Sequence, residues 1–249
     1  MLNIVIPMAG LGTRFAKAGY RTPKPLIPVH GVPMIRLVIE NVRPRCAHRF
    51  IFICQQDHVR EFDLDARLCQ WASGAAIIEL DRVTDGAACT VLMARDHIDT
   101  ATPLMVVNSD QYVDADIDAY LVDLDQRRLD GLIMTMEADD PKWSFVGTDA
   151  RGRVTRVVEK QPISRRATVG IYNFARGRDF VRAADAMIAK GIRVNNEFYV
   201  APVYNELIAE GAHVGFYDIG DGMHGLGVPE DLDAFVALPL SRRATDALA

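Results

Sequence analysis

Short apolar runs alternate with longer segments of helical period along the first half of the chain. Strands bury every second residue and helices bury a stripe that repeats every ~3.6 residues, so the runs predict strands and the longer segments predict helices. The predicted strands cover 2–7, 50–54, 75–80, 103–107 and 131–136, and the predicted helices cover 34–42, 57–72, 86–95 and 116–129. This alternation favours a Rossmann-like three-layer α/β/α fold around a mostly parallel mixed sheet.

The rhythm changes in the second half, where shorter strands are separated by turn signals. The pattern predicts strands at 145–149, 153–159 and 168–174 and helices at 178–189, 201–210 and 229–236. No linker rich in Pro, Gly or Ser divides the chain, and no internal repeat is present. We therefore expect one domain over 1–240, with halves of about 1–130 and 131–240, followed by a C-terminal tail over 241–249.

Ligands of open α/β sheets bind beyond the carboxyl ends of the strands. Pro7-Met8-Ala9-Gly10-Leu11-Gly12-Thr13-Arg14-Phe15 follows the first strand, and Pro23-Lys24-Pro25-Leu26 follows soon after. A glycine turn lets backbone N–H groups approach phosphates, while Arg14 offers a planar fork and Lys24 a point charge held between two prolines. A dinucleotide fingerprint would need a third glycine where Phe15 stands, and a Walker loop would need Gly-Lys-Ser/Thr.

A second segment, Leu104-Met105-Val106-Val107-Asn108-Ser109-Asp110, carries a carboxylate to the end of an apolar strand. The carboxyl end of a strand is where the ligand crevice of such a sheet is expected. Taken alone, Asp110 would be better explained as a turn or helix-cap residue. Asp114 and Asp116 are expected to be a solvated turn and a cap.

Bulk properties narrow the class of protein. The 249 residues carry a net charge of −5, which argues against a general nucleic-acid binder. No apolar run reaches the length of a membrane helix and no signal-peptide pattern is present, so we expect a cytoplasmic protein that binds no membrane. The four cysteines form no CxxC pair, and we expect buried free thiols at Cys46, Cys54, Cys69 and Cys89.

The glycine loop and the lysine before Pro-Leu resemble those of the sugar-phosphate nucleotidyltransferases, or nucleotide-sugar pyrophosphorylases. The resemblance extends to about Leu232 and implies the nucleotide-diphospho-sugar transferase type of fold. It also implies a Mg²⁺-dependent enzyme that transfers an NMP group from an NTP to a sugar phosphate or similar small acceptor, with release of pyrophosphate. The pathway implied is nucleotide-sugar biosynthesis, such as that for capsule or surface polysaccharides.

The same resemblance assigns residues to nucleotide binding in the first half of the chain. Arg14, Lys24 and Asp110 would be catalytic, with Asp110 also the metal ligand. Thr84-Asp85-Gly86-Ala87-Ala88 is similar to the family loop whose glycine lets the base lie against the backbone, although Asp85 could also act as a simple N-cap. The implied nucleotide-binding residues are Ala9, Gly10, Leu11, Gly12, Thr13, Arg14, Lys24, Gly86, Ala87, Ser109 and Asp110.

Acceptor binding is assigned to the second half in the same way. Val157-Val158-Glu159-Lys160-Gln161-Pro162 is similar to the family's Glu-Lys-Pro element, in which glutamate meets sugar hydroxyls and lysine meets the acceptor phosphate. Val169-Gly170-Ile171-Tyr172 and Asn196-Glu197-Phe198 match further positions of the pocket. The implied acceptor-binding residues are Glu159, Lys160, Gly170, Asn196 and Glu197.

Two segments depart from the family pattern. Gly225 stands where many relatives carry the aspartate that is the second metal ligand, and Asp218 or Asp221 are the substitutes that the sequence offers. Ser144-Phe145-Val146 replaces the usual Tyr-Gly-Val, which makes a non-standard acceptor an open question. The alternatives are a cytidylyltransferase for a non-sugar phosphate, a nucleotide-sugar-dependent glycosyltransferase and a non-catalytic nucleotide-binding subunit. Base preference, acceptor and homo-oligomerisation stay open.

Overall fold

The structure is a computed structural model that describes residues 1–248. Its strands are β1 (Leu2–Met8), β2 (Pro28–Val29), β3 (Val32–Pro33), β4 (His48–Gln55), β5 (Ala76–Leu80), β6 (Leu104–Val107), β7 (Gln111–Val113), β8 (Gly131–Glu137), β9 (Ser144–Thr148), β10 (Val154–Glu159), β11 (Arg166–Phe174), β12 (Val214–Asp218) and β13 (Met223–Gly225). Its helices are α1 (Thr13–Lys17), α2 (Met34–Asn41), α3 (Gln56–Phe62), α4 (Leu64–Trp71), α5 (Ala87–Leu92), α6 (Arg95–Ile98), α7 (Ile117–Gln126), α8 (Gly177–Ala189), α9 (Tyr204–Ala209), α10 (Pro229–Val236) and α11 (Pro239–Asp246).

A parallel set of strands forms the first half of the central sheet. The order is β6–β1–β4–β5, and Val5 of β1 pairs with Val106 of β6 on one side and with Ile51 of β4 on the other. β1, β4 and β6 are buried along most of their length because helices cover both faces of the sheet, whereas the edge strand β5 is partly exposed. The carboxyl ends of β1 and β6 consequently lie side by side at one edge.

The second half of the sheet is mainly antiparallel. β11 runs antiparallel to both β6 and β8, the β9–β10 hairpin extends from the start of β11, and β12 pairs in parallel with β8. Together with the first half this makes a nine-stranded mixed sheet. The predicted three-layer fold class is therefore confirmed, with three of its four parallel strand pairs in the first half of the chain.

The core lies on both faces of this sheet. Alternate residues of β1 point to opposite faces, so Ile4 and Ile6 join one buried cluster while Val5 joins the other. A third, smaller cluster contains Phe15 of α1, Leu226 and Phe235 of α10. This cluster attaches the segment after β13 to the loop after β1, and so fixes two parts of the candidate site against each other.

Several predicted helices are interrupted, and several short strands were not predicted. The expected helix over 57–72 is two helices separated by Asp63, which takes the left-handed conformation (φ 49°) that aspartate adopts more readily than most residues. The expected helix over 86–95 likewise forms α5 and a separate α6, and the one over 201–210 begins with a 3₁₀ turn. The short strands β2, β3, β7, β12 and β13 were not predicted.

The end of the chain and the thiols also differ from expectation. Most of the segment predicted as a tail is helical in α11, and Ala249 lies outside the described residues. All four cysteines are free, but Cys46 and Cys69 are exposed, so the prediction of burial was wrong for these two. Within residues 1–248, no helix has both the length and the apolar character needed to cross a membrane.

Candidate active site

The glycine loop and the Asn108–Asp110 segment meet where β1 and β6 end. β1 leads into the loop before α1, and β6 leads into Asn108, Ser109 and Asp110 before β7 begins. Because β1 and β6 are parallel neighbours, both segments emerge at the same edge of the sheet. This edge is where an open α/β sheet binds its ligands.

An ion pair joins the two segments. Lys24 lies in a 3₁₀ turn flanked by Pro23 and Pro25, and its Nζ contacts Oδ2 of Asp110. The side chains of Lys24 and Asp110 are only 19% and 28% exposed, so the pair is shielded from bulk water. Gly227 covers it, since an ideal Cβ at that position would lie 2.8 Å from Asp110 Oδ2. A cation and a carboxylate are thus held together at the centre of the site.

A cavity of about 250 Å³ opens on the side of this pair that faces the glycine loop. Backbone and small side chains form most of its wall, which allows a ligand to approach the main chain closely. The cavity is lined by Pro7, Met8, Gly10, Gly12, Lys24, Pro25, Ala87, Asn108, Ser109 and Asp110.

A neighbouring cavity of about 220 Å³ shares Pro7, Gly10 and Ala87 with the first and extends to Val83, Thr84 and Glu197. Gly86 lies in its wall. An ideal Cβ there would be 2.5 Å from the backbone nitrogen of Phe198, and Ala88 N–H donates to the Phe198 carbonyl at 2.9 Å. Glycine is therefore required by packing between protein backbones. The expected side-chain N-cap by Asp85 is wrong, because no side chain caps α5.

A third cavity, of about 290 Å³, lies on the other side of Asp110 and is the candidate acceptor pocket. Glu159, at the end of β10, is buried in its wall and accepts a hydrogen bond from the Ser144 hydroxyl. Burial raises the pKa of the Glu159 carboxyl above its ordinary value. A buried carboxylate with one hydroxyl partner retains the capacity to accept further hydrogen bonds from a ligand.

Positive side chains surround this pocket. Lys160 donates to the Tyr199 hydroxyl at 2.7 Å, and its Nζ lies 4.9 Å from the centre of the same ring. Lys142 lies 4.9 Å from the centre of the Trp143 ring, so each lysine is positioned by a cation–π contact. Arg14 also lines the pocket, and it makes no ion pair with any described residue. The arrangement suits an anionic group such as a phosphate.

Gly170 of β11 lets two amide side chains pack against the strand. Its φ is +81°, and an ideal Cβ would lie 2.3 Å from Asn108 Nδ2 and 2.4 Å from Gln111 Oε1. Asn108 N–H also donates to the Gly170 carbonyl at 2.9 Å. Gly170 therefore shapes the pocket wall through its contacts with Asn108 and Gln111.

Most of the residues predicted for the site are brought together. Lys24, Gly10, Gly12, Ala87, Ser109 and Asp110 line the cavity beside the glycine loop, Ala9 and Gly86 line its neighbour, and Arg14, Glu159, Lys160 and Gly170 line the acceptor pocket. Two residues lie elsewhere than predicted: Arg14, assigned to nucleotide binding, lines the acceptor pocket, and Glu197, assigned to acceptor binding, lies in the wall beside Gly86. In the described chain, Thr13 and Asn196 line none of the three cavities, and Leu11 is exposed on the outer side of the loop.

Sequence reasoning did not assign several residues of the acceptor pocket. Lys142 and Trp143 precede Ser144, and Tyr199 follows the Asn196-Glu197-Phe198 segment, so their positions beside assigned residues were the available signal. Gln111 directly follows Asp110 in the sequence. Nothing in its residue type indicates that its side chain lies in the pocket wall.

Asp231 lies beside Gly225, the position at which the family resemblance implies a second carboxylate. An ideal Cβ at Gly225 would be 3.1 Å from Asp231 Oδ2, and Asp231 lines the acceptor pocket together with Asp110. Asp218 and Asp221 are exposed and, in the part of the chain that the structure describes, do not line these cavities. Of Asp218, Asp221 and Asp231, Asp231 is the one that lines a cavity with Asp110.

Comparison with known proteins gives a consistent result. The family model for nucleotidyl transferases matches residues 4–196. The bifunctional protein GlmU of Chromohalobacter salexigens is 28% identical over 222 residues, which is 86% of this chain and 46% of that protein. The chain spans less than half of the length of the GlmU relatives that it matches.

Two further comparisons are with a solved structure and with a short stretch of a curated protein. The structure of a nucleoside-diphosphate-sugar pyrophosphorylase from Vibrio cholerae superposes with a TM-score of 0.81 at 28% identity, covering 94% of this chain and 100% of that one. A 2-aminoethylphosphonate cytidylyltransferase from Lancefieldella rimae is 60% identical, but over only 37 residues, or 15% of each chain.

Proposed function

The chain belongs to the nucleotidyl transferase family, and from this membership we propose that it transfers an NMP group from an NTP to a sugar phosphate and releases pyrophosphate. The observation that carries the proposal is the Lys24–Asp110 pair at the junction of two cavities. One cavity is walled by the glycine loop and suits a triphosphate. The other is surrounded by Lys142, Lys160 and Arg14 and suits a phosphorylated acceptor.

The reaction is an in-line displacement at the α-phosphorus of the NTP. An oxygen of the acceptor phosphate forms a bond to that phosphorus, and the bond to the oxygen that bridges to the β-phosphate breaks, so pyrophosphate leaves. The attacking oxygen is already anionic, so no general base is needed. The chain's task is to hold two polyanions together in line, which is catalysis by positioning and electrostatics.

The cations must offset the electrostatic repulsion between the acceptor phosphate and the triphosphate. Two like unit charges about 4 Å apart repel by roughly 4 kcal/mol at an effective dielectric constant of 20. Lys24 lines the cavity beside the glycine loop and contacts Asp110, which lines both cavities, and it stabilises the charge that passes from the attacking oxygen toward the leaving pyrophosphate. Arg14 and Lys160 line the other cavity and bind the acceptor phosphate, and the bracketing prolines hold Lys24 in place.

Magnesium dependence is part of the proposal. The oxygens of Asp110 and Asp231 are the hard carboxylate ligands that Mg²⁺ prefers, and both side chains line the same pocket. Two carboxylates suffice because phosphate oxygens and waters complete such a shell. Bound there, the ion would neutralise part of the triphosphate charge. With Asp110 holding the ion, Lys24 would be free to bind phosphate.

A second candidate is a cytidylyltransferase for a non-sugar phosphate or phosphonate. The short match to the 2-aminoethylphosphonate cytidylyltransferase favours it, although that match covers only 15% of the chain. The replacement of Tyr-Gly-Val by Ser144-Phe145-Val146 points in the same direction. The two candidates share the transfer chemistry and differ only in the acceptor.

A matrix of triphosphates and acceptors tests the proposal. ATP, CTP, GTP, UTP and dTTP are each incubated with Mg²⁺ and with glucose 1-phosphate, N-acetylglucosamine 1-phosphate, inositol 1-phosphate or 2-aminoethylphosphonate, and pyrophosphate is measured. Release with a sugar phosphate supports the proposal, and release only with the phosphonate supports the second candidate. A nucleotide-sugar-dependent glycosyltransferase would release no pyrophosphate in any of these mixtures. It would instead release nucleoside diphosphate when it is given a nucleotide sugar.

A further inference from the structure

Gln111 has a buried hydrogen-bond donor with no partner. The residue begins β7 and is 2% exposed, and its Nε2 makes no hydrogen bond with any described residue. Gln111 nevertheless lines the acceptor pocket. Buried side-chain N–H groups are nearly always paired, because leaving one unpaired costs its full desolvation penalty. The orphan amide therefore requires an explanation.

The packing around Gln111 keeps the amide in this place. Its Oε1 lies 2.4 Å from the ideal Cβ position of Gly170, so the missing side chain at that glycine is what admits the amide. The backbone of Gln111 pairs with Gly225 of β13, and the neighbouring Asp110 carbonyl accepts from Leu226 N–H at 2.8 Å. The strand is thus fixed next to the Lys24–Asp110 pair, with a polar side chain in the pocket wall.

We propose that Gln111 is an acceptor-binding residue whose Nε2 donates a hydrogen bond to a hydroxyl oxygen on the non-phosphate part of the acceptor. This inference rests on the proposed function and specifies how the same pocket distinguishes its substrate. Gln111 would act in binding and selection, and the transfer chemistry would stay with Lys24 and Asp110.

The pairing of Gln111 with Glu159 identifies the class of ligand. Both are buried in the wall of one pocket, where Nε2 can only donate and the ionised carboxylate can only accept. A hydroxyl can do both, so a polyhydroxylated acceptor satisfies both groups. An ammonium group would satisfy Glu159 but has no lone pair for Gln111. The pocket therefore fits a sugar or cyclitol phosphate better than an aminoalkyl phosphonate.

Gln111→Met tests the inference, because methionine has a similar shape and no polar hydrogen. If the amide serves only the acceptor, removing an unpaired buried donor should leave the melting temperature unchanged or raise it. The KM for glucose 1-phosphate should rise roughly 3- to 10-fold, the scale of one neutral hydrogen bond. The KM for the NTP should not change. Gln70→Met, on the exposed surface of α4, is the matched control.

Deoxy analogues of glucose 1-phosphate identify the atom that is bound. One of the 2-, 3-, 4- and 6-deoxy compounds should raise KM in the wild type and cause no further increase in Gln111→Met. Equal penalties in both proteins for every analogue would overturn the inference. So would an unchanged acceptor KM with a lowered melting temperature, which is the result for a purely structural residue.

The failures of the two proposals are distinguishable. Wild-type turnover with an unaffected Gln111→Met KM overturns the role of Gln111 alone. Wild-type turnover of 2-aminoethylphosphonate but of no hydroxylated acceptor also overturns it, because that compound has no oxygen outside its phosphonate. Absence of pyrophosphate with every pair overturns the transferase proposal, and the assignment of Gln111 fails with it.

Discussion

Replacing Gly170 by alanine should damage both stability and acceptor binding. At φ +81° a Cβ is strained, which costs about 1–2 kcal/mol for an L-residue in the left-handed region. The new Cβ would also lie 2.3 Å from Asn108 Nδ2 and 2.4 Å from Gln111 Oε1, so both side chains must move. Overpacking of this kind typically costs about 1–3 kcal/mol. The expected total loss is about 2–5 kcal/mol.

Gly152→Ala is the matched control for this substitution. Gly152 has a similar φ of +75°, but an ideal Cβ there meets no heavy atom within 4 Å. The variant therefore carries the backbone strain and the same unfolded-state effect without the collision. The difference between the two variants isolates the cost of displacing Asn108 and Gln111, about 1–3 kcal/mol.

Equilibrium urea unfolding followed by far-UV circular dichroism measures the difference. Acceptor KM is measured in parallel, because Asn108 and Gln111 line the pocket and their displacement should raise it. Gly152→Ala should leave acceptor KM unchanged. Equal losses of stability in the two variants would refute the reasoning, since the contacts at Gly170 would then carry no energetic cost.

Three further predictions concern the charged groups of the site. Lys24→Ala should lower turnover roughly 100- to 1000-fold, the scale for one preorganised electrostatic contact, and near-normal turnover would remove Lys24 from this role. Asp110→Asn should raise the Mg²⁺ concentration needed for half-maximal activity, and an unchanged requirement would move the metal site elsewhere. Burial raises the pKa of Glu159 above 4.5, so stability from this group is full below pH 4.5 and is lost as pH rises through the higher folded-state pKa. Relative to wild type, Glu159→Gln should therefore gain stability as the pH rises above 4.5 in urea titrations, and a pH-independent difference would contradict a raised pKa at Glu159.

The sequence predicted the central strands well because burial on both faces of the sheet leaves largely apolar runs, as in β1 and β6. Periodicity failed at Asp63, where a single left-handed residue interrupts an otherwise helical pattern. It also missed β7 and β13, each of which has three residues and forms only because a distant segment pairs with it. Pairing between distant short segments leaves no local periodic signal.

The chemistry of the site was predicted unevenly for a similar reason. Lys24 and Asp110 are marked in the sequence by the prolines and the apolar strand beside them, and they meet in the fold. The role of Gly86 in packing against the Phe198 backbone depends on contacts between separate segments. The lack of a partner for the Gln111 amide likewise depends on its three-dimensional surroundings, and no feature of the sequence indicates it.

A crystal structure with a non-hydrolysable NTP analogue and Mg²⁺ tests the central claim most directly. We predict that the phosphate chain lies along the glycine loop, within hydrogen-bonding distance of Lys24, with the metal at Asp110. A phosphate chain bound elsewhere, with the Lys24–Asp110 ion pair still intact, would contradict the account.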